Sequence, residues 1–173
     1  MVTRRRLELT GAAVAFVTTT VTDFTPVFER HELASVVISQ LAETSGAFGV
    51  SVIGWVLMPH HLHALLGFSR IQDLSKYMKA LKTLSSRKIA DLIENPVKNQ
   101  LTRNGLFRLW MPRFDDVIVN SSKQLEIKLQ YIHRNPVKAG LCVEAAQWTH
   151  SSARDWLTTT SGPIKIAKNW NWT

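Results

Sequence analysis

His61 and His63 are the side chains of this chain best suited to chemistry, two imidazoles one residue apart. On a strand, residues i and i+2 project from the same face, so both rings point together while Leu62, Ala64 and Leu66 alternate with them. Two converging imidazoles make half of a metal site. Such donors suit manganese, iron, nickel or zinc, whereas magnesium prefers oxygen ligands and water. A pair of this kind also serves in ordinary hydrogen-bonded surfaces, and the spacing alone leaves both readings open. His60 alternates to the other face and reads as a turn residue, not a ligand. The second pair is Tyr131 and Asn135. Four residues apart on a helix, they lie on the side of Gln124 and Lys128, away from Leu125, Leu129 and Ile132, so Tyr131 is displayed and not packed. An interface tyrosine followed by a helix-terminal asparagine fits the same pattern. Tyr77, the other tyrosine, falls among Leu74, Met78, Leu81 and Leu84 and reads as core.

The elements that must position these residues follow from periodicity. Ala13 to Val21 is rich in Val, Phe and Thr and predicts a strand. Leu33, Val36, Val37 and Leu41 recur at helical spacing from Glu29 to about Ser45, with an end near Gly46. Val50 to Met58 and Leu62 to Phe68 read as the two arms of a β-hairpin turned at Pro59 and His60, with Gly67 closing the second arm. Ile71 to Ile93 predicts a long amphipathic helix that buries Leu74, Tyr77, Met78, Leu81, Leu84, Ile89 and Leu92 and turns Lys76, Lys79 and Arg87 outward. Asn99 to Gly105 reads as loop and Phe114 to Val119 as a strand. Asn120, Ser121 and Ser122 cap a last helix, which Asn135-Pro136 and Gly140 break. The remainder, with Trp148, Trp156, Trp170 and Trp172, is irregular and wraps the outside. The order predicts an α+β fold, a ferredoxin-like or RRM-like antiparallel sheet with helices on one face, plus a C-terminal helix carrying Tyr131 and a tail.

The chain has 173 residues, with 21 Lys and Arg against 13 Asp and Glu, a formal net charge of +8. That length suits one domain, residues 1–173, with a core at about 13–135 and a tail at about 136–173. No apolar run reaches the roughly 18 residues of a membrane span. Arg4, Arg5 and Arg6 before Ala12 to Val17 imitate a secretory leader, but Glu8 and the Thr18 to Thr20 run read better as the start of a fold. The single cysteine, Cys142, forms no internal disulfide and suits a reducing, cytoplasmic location. A basic surface attracts polyanions, and nucleic acid is the first partner it suggests.

Taken as sequence, two segments resemble a known family. Trp55-Val56-Leu57-Met58-Pro59-His60-His61-Leu62-His63-Ala64-Leu65-Leu66 resembles the MPNHxHxLL signature of the single-tyrosine HUH transposases of bacterial insertion sequences. Tyr131-Ile132-His133-Arg134-Asn135-Pro136-Val137-Lys138-Ala139-Gly140-Leu141 resembles their YIxxNPVxAGL segment. Leu109-Trp110 and Ser151-Ser152-Ala153-Arg154 match as well and point to the branch associated with repetitive extragenic palindromes. Three positions depart from the pattern: His60 stands where Asn is usual, Asn120 where a basic residue often ends the strand, and His150 where a Trp often precedes the serines.

The resemblance implies a metal-dependent transposase that cleaves and rejoins single-stranded DNA near hairpins. By carry-over, His61 and His63 bind one divalent ion, magnesium or manganese, with the Asn135 amide oxygen as third ligand, and Tyr131 is the nucleophile. A phenol is mostly protonated at neutral pH, so its attack needs a nearby positive ion or a proton acceptor. The implied product is a 5′-phosphotyrosine with a free 3′-hydroxyl. Arg134 and Lys138 beside the nucleophile, the Lys76, Lys79 and Arg87 stripe, and Arg4 to Arg6 are the expected phosphate contacts, and a homodimer that exchanges the tyrosine helix is compatible with the family. The alternatives are a non-catalytic single-strand-binding domain or a decayed, host-adapted relative, either of which would use the same charge without cleaving DNA.

Overall fold

Val, Phe and Thr in Ala13–Thr20 favour extended backbone, and this segment is the central strand β1 of the computed structural model, which describes residues 9–170. Helix α1 (His31–Phe48) leads to strands β2 (Ser51–Met58) and β3 (His61–Phe68), then α2 (Leu74–Leu92). A short helix α3 (Val97–Gln100) and a small hairpin of β4 (Thr102–Arg103) and β5 (Leu106–Phe107) precede β6 (Asp115–Val119), α4 (Ser122–Lys138) and α5 (Ala153–Leu157). The main sheet has the order β2-β3-β1-β6 and is antiparallel throughout, the expected α+β arrangement.

Both faces of this sheet are covered, which is why β2 and β3 read as nearly unbroken apolar runs. Ala15, Val17, Trp55, Leu57, Leu62 and Ala64 belong to the core under α1 and α2. Val14, Phe16, Val56, Met58 and Leu65 face the other way, against Leu125, Leu129 and Ile132 of α4 and Trp148, Trp156 and Trp170. A bulge between Val52 and Gly54 interrupts the alternation. It turns Ile53 and the bare Cα of Gly54 to the same side, where a Cβ on Gly54 would lie 2.5 Å from Leu129 Cδ1. Tyr77 is buried as expected, its hydroxyl 2.8 Å from Ser45 Oγ.

The C-terminal segment closes the outer edge of β2. Leu57 N donates to His150 O at 2.8 Å, Ser152 N to Trp55 O at 2.9 Å and Ala167 N to Val52 O at 2.8 Å. The indoles of Trp148 and Trp156 donate to Leu57 O and Ile53 O. Trp170 then lies over Gly67, where a Cβ would stand 2.2 Å from the indole ring. Trp172 and Arg4 to Arg6 lie outside the described residues. Among the described residues, no helix is long and apolar enough to cross a membrane.

Four local expectations need correction. Helix α1 runs through Gly46 and stops at Gly49, whose φ of 62° supplies the left-handed cap. Asn135-Pro136 does not break α4, because proline there removes only one N–H so close to the end. The helix closes instead through Ala139 N to Asn135 O and Gly140 N to Val137 O, both 3.0 Å. Leu84 and Leu92 sit at the margin of the buried stripe and are exposed, while Ser85 occupies its centre and its Oγ accepts from the Trp110 indole at 2.9 Å. Residues 102–107 form a hairpin and not a loop, since Asn104 and Gly105 take the positive φ values, 52° and 74°, that a tight two-residue turn requires.

Gly67→Ala should lower unfolding free energy by about 1–3 kcal/mol in denaturant titration by forcing Trp170 off the sheet. In a Trp170→Ala background the same change should cost much less, because the two sites share one contact.

Candidate active site

The Pro59-His60 turn starts β3 at His61, and the β1–β3 register then sets Thr20 opposite His61 and Thr18 opposite His63. Directly opposed residues share a face, so both imidazoles project to the α4 side of the sheet with Phe16 and Leu65. The His61 and His63 ring centroids are 4.6 Å apart. His63 is almost fully buried, stacks on Phe16 at 5.4 Å, and its Nδ1 lies 2.7 Å from Thr18 Oγ1. Because that hydroxyl occupies Nδ1, Nε2 is the nitrogen left for a ligand.

Helix α4 brings the phenol to the same place. Ser121 caps it, its Oγ accepting from Gln124 N at 3.2 Å, and Ile132 anchors the inner face. The Tyr131 ring lies 5.4 Å from His63 and 5.9 Å from Phe16, yet 42% of the residue is exposed. Asn135 follows one turn later on the same stripe, half-buried. Two lysines flank the phenol: Lys128 Nζ stands 4.7 Å over the Phe16 ring, and Lys138 Nζ stands 5.8 Å over Tyr131 itself.

Electrostatics keep the histidine pair neutral. Burial, then the neighbouring His60, lowers the His61 pKa to about 4. Burial, then His61, then Lys128, lowers that of His63 to about 3. At neutral pH each ring therefore keeps a lone pair, the state a metal ligand requires. No carboxylate joins them: among the described residues there is no group of three or more His, Cys, Asp or Glu able to hold a metal. The donor set thus fits a divalent ion only with neutral oxygen from an amide such as Asn135, from water or from substrate.

Some neighbours were not anticipated. His60 does not turn away; its Nδ1 lies 2.6 Å from His61 Nδ1, because residues 59–60 form a turn in which strand alternation no longer applies. Thr18 and Phe16 shape the His63 pocket, and cross-strand register is the signal that would have named them. His133, two residues after Tyr131 and on the buried face, has its Nε2 2.9 Å from Ser152 Oγ. That hydroxyl accepts from Trp55 N and lies 3.2 Å from Trp55 O, so the His133–Ser152 contact ties α4 to β2. Burial lowers the His133 pKa to about 4, only partly offset by Asp155. Arg134 and Lys138 are exposed on α4, whereas Lys76, Lys79 and Arg87 stand on α2, across the sheet from Tyr131.

The family model described as "Transposase IS200 like" matches residues 16–135, a span that begins at Phe16 and ends at Asn135. The chain belongs to the IS200-like transposase family. Among curated proteins, the REP-associated tyrosine transposase of Escherichia coli (strain K12) is 28% identical over 99 residues, which are 57% of this chain and 51% of that protein. The match thus spans about half the length of that relative. A solved structure of a REP-associated tyrosine transposase bound to a REP hairpin shares the fold, with a TM-score of 0.73 at 20% identity, covering 100% of this chain and 94% of the other.

Thr18→Val should release the His63 ring from its fixed tautomer. Nitrogen-15 NMR should then find a single Nε2 or Nδ1 protonation state in the parent protein and a mixture in the variant, with the ring still neutral at pH 6 because burial is unchanged.

Proposed function

We propose that this transposase cleaves and rejoins single-stranded DNA beside a hairpin through a covalent 5′-phosphate on Tyr131. The observation that carries the reading is the convergence of an exposed phenol from α4 with two neutral imidazoles from β3 on one sheet face. His61 and His63, with the Asn135 amide oxygen, would hold a divalent ion, magnesium or manganese, which when bound supplies Lewis-acid polarisation of the scissile phosphodiester.

The chain's own residues do the rest. His63 is held by Thr18 and Phe16, so the phosphate-binding end of the site is preorganised before DNA arrives. The Tyr131 oxygen attacks phosphorus, the new O–P bond replaces the P–O3′ bond, and the phenolic proton ends on the departing 3′-oxygen by way of solvent. Lys128 and Lys138 place positive charge beside the phosphodiester. Since one phosphoester replaces another, a 3′-hydroxyl can reverse the step and join strands without a nucleotide cofactor. Tyr131 reaches His63 of its own chain, so this reading needs no second copy, although a homodimer remains compatible with it.

An unpaired strand suits a site on a sheet face beside a helix, where a duplex would hold its phosphate away, and the hairpin carried by the structural relative supports the same partner. Arg134 and Lys138 are the phosphate contacts nearest the nucleophile. Lys76, Lys79 and Arg87 would meet only DNA that extends around the sheet. The whole chain acts here as one unit in the reducing cytoplasm.

Labelled single-stranded hairpin DNA with manganese or magnesium should give a covalent adduct on a denaturing gel. Tyr131→Phe should abolish it, and His61→Ala should reduce it by about 100-fold or more through lost metal affinity. DNA binding without an adduct for any hairpin tried would hand the site to the non-catalytic or decayed reading. Arg134→Ala and Lys138→Ala should each flatten the slope of log affinity against log salt by about 0.7.

A further inference from the structure

Just after β1 the backbone adopts a conformation that ordinary side chains resist. Asp23 and Phe24 are consecutive non-glycine residues in the left-handed region, with φ of 55° and 54°, where Cβ crowds the following peptide. What this turn delivers is a phenyl ring held out in water: Phe24 is 61% exposed and belongs to neither apolar cluster of the core. Strain that exposes a large hydrophobe does nothing for packing, and strained residues of this kind concentrate at functional sites.

The turn is braced from several directions. Arg103 Nη2 donates to Asp23 Oδ2 at 2.5 Å, and Thr22 donates from N to Leu109 O and from Oγ1 to Arg108 O, both at 2.8 Å. Val21 N donates to His60 O and Phe28 N to Pro59 O, at 2.8 and 2.9 Å, which locks the turn to the one that launches β3. The Phe24 ring meets the His60 ring edge-on, 5.7 Å between centroids. From there the rings continue without a break: His60 to His61 at 4.6 Å, His61 to His63 at 4.6 Å, and His63 to Tyr131 at 5.4 Å. The histidine pair therefore lies between two exposed aromatic residues, one the phenol and the other Phe24.

We propose that Phe24 is a stacking platform for an unpaired base next to the scissile phosphate, at the other end of this series of rings from Tyr131. The inference rests on the reading of the site as a single-strand DNA transesterase, and it makes Phe24 a positioning residue. A strand whose phosphate sits at His61 and His63 has a neighbouring base within one nucleotide's reach, and a bare phenyl accepts the face of any base. Backbone bracing keeps the ring in place beforehand, so little order is lost when DNA binds.

The test uses hairpin oligonucleotides whose single-stranded flank carries 2-aminopurine, one position at a time. Phe24→Gly removes the ring and relieves the left-handed strain, while Phe24→Trp keeps a stacking surface. The parent protein and Phe24→Trp should quench 2-aminopurine strongly at one position beside the cleavage site. In Phe24→Gly that quenching should disappear, affinity should fall on the order of tenfold, and the melting temperature should hold or rise. If Phe24→Gly binds and quenches like the parent at every position, the platform is wrong while the reading of the site stands. A fall in melting temperature in Phe24→Gly, with Phe24→Trp failing to restore quenching, assigns the ring a structural role and overturns the proposal. If the parent protein binds none of the oligonucleotides, the transesterase reading falls and takes this inference with it.

Discussion

The pairing of β1 with β3, unbroken from Ala13 opposite Phe68 to Thr20 opposite His61, is the constraint on which the rest of the structure depends. Side chains alternate along a strand, so a slip of one residue would drive both imidazoles into the core under α1 and α2 and turn Leu62 and Ala64 toward α4. The apolar load on both faces forbids that slip. Thr18 adds the finer adjustment, since its hydroxyl fixes which nitrogen of His63 is spoken for. Register, burial and imidazole orientation are thus one property seen at three scales.

Covering both faces of the sheet raises a difficulty, because the candidate site must still be reached from solvent. The structure meets it by letting the cover change character along α4. Toward its N-terminus Leu125 and Leu129 pack with Trp156 and Trp170 over β2 and β3, and Ile132 continues the seal. At Tyr131 the helix presents its flank, and the phenol shares the rim with lysines and not with tryptophans. His133 holds that helix down from the opposite flank through Ser152 and the Trp55 backbone. Tyr131 can be exposed because His133, two places after it, is buried.

Much of this was legible in the sequence wherever the signal is local. Strand alternation around His61 and His63, the Ser121 cap and the Leu125, Leu129 and Ile132 stripe gave the hairpin, the tyrosine helix and its inner face. The unread part depends on partners distant in the chain. Thr18 and His63 are 45 positions apart, and nothing in either segment announces their register. The apolar stripe of α4 says that a face is buried but not which side of the sheet receives it, so the separation of Lys76, Lys79 and Arg87 from Tyr131 emerged only in three dimensions. The turn at Phe24 was hidden for a related reason: its braces come from Arg103, Arg108 and Leu109, some eighty positions along the chain.

The main sheet has two edges, and they are unlike. The C-terminal segment seals β2 with backbone and indole hydrogen bonds. The other edge is β6, five residues long and opening on Asp115 and Asp116. A short strand led by carboxylates is a poor template for another sheet. The same two side chains therefore discourage edge-to-edge aggregation.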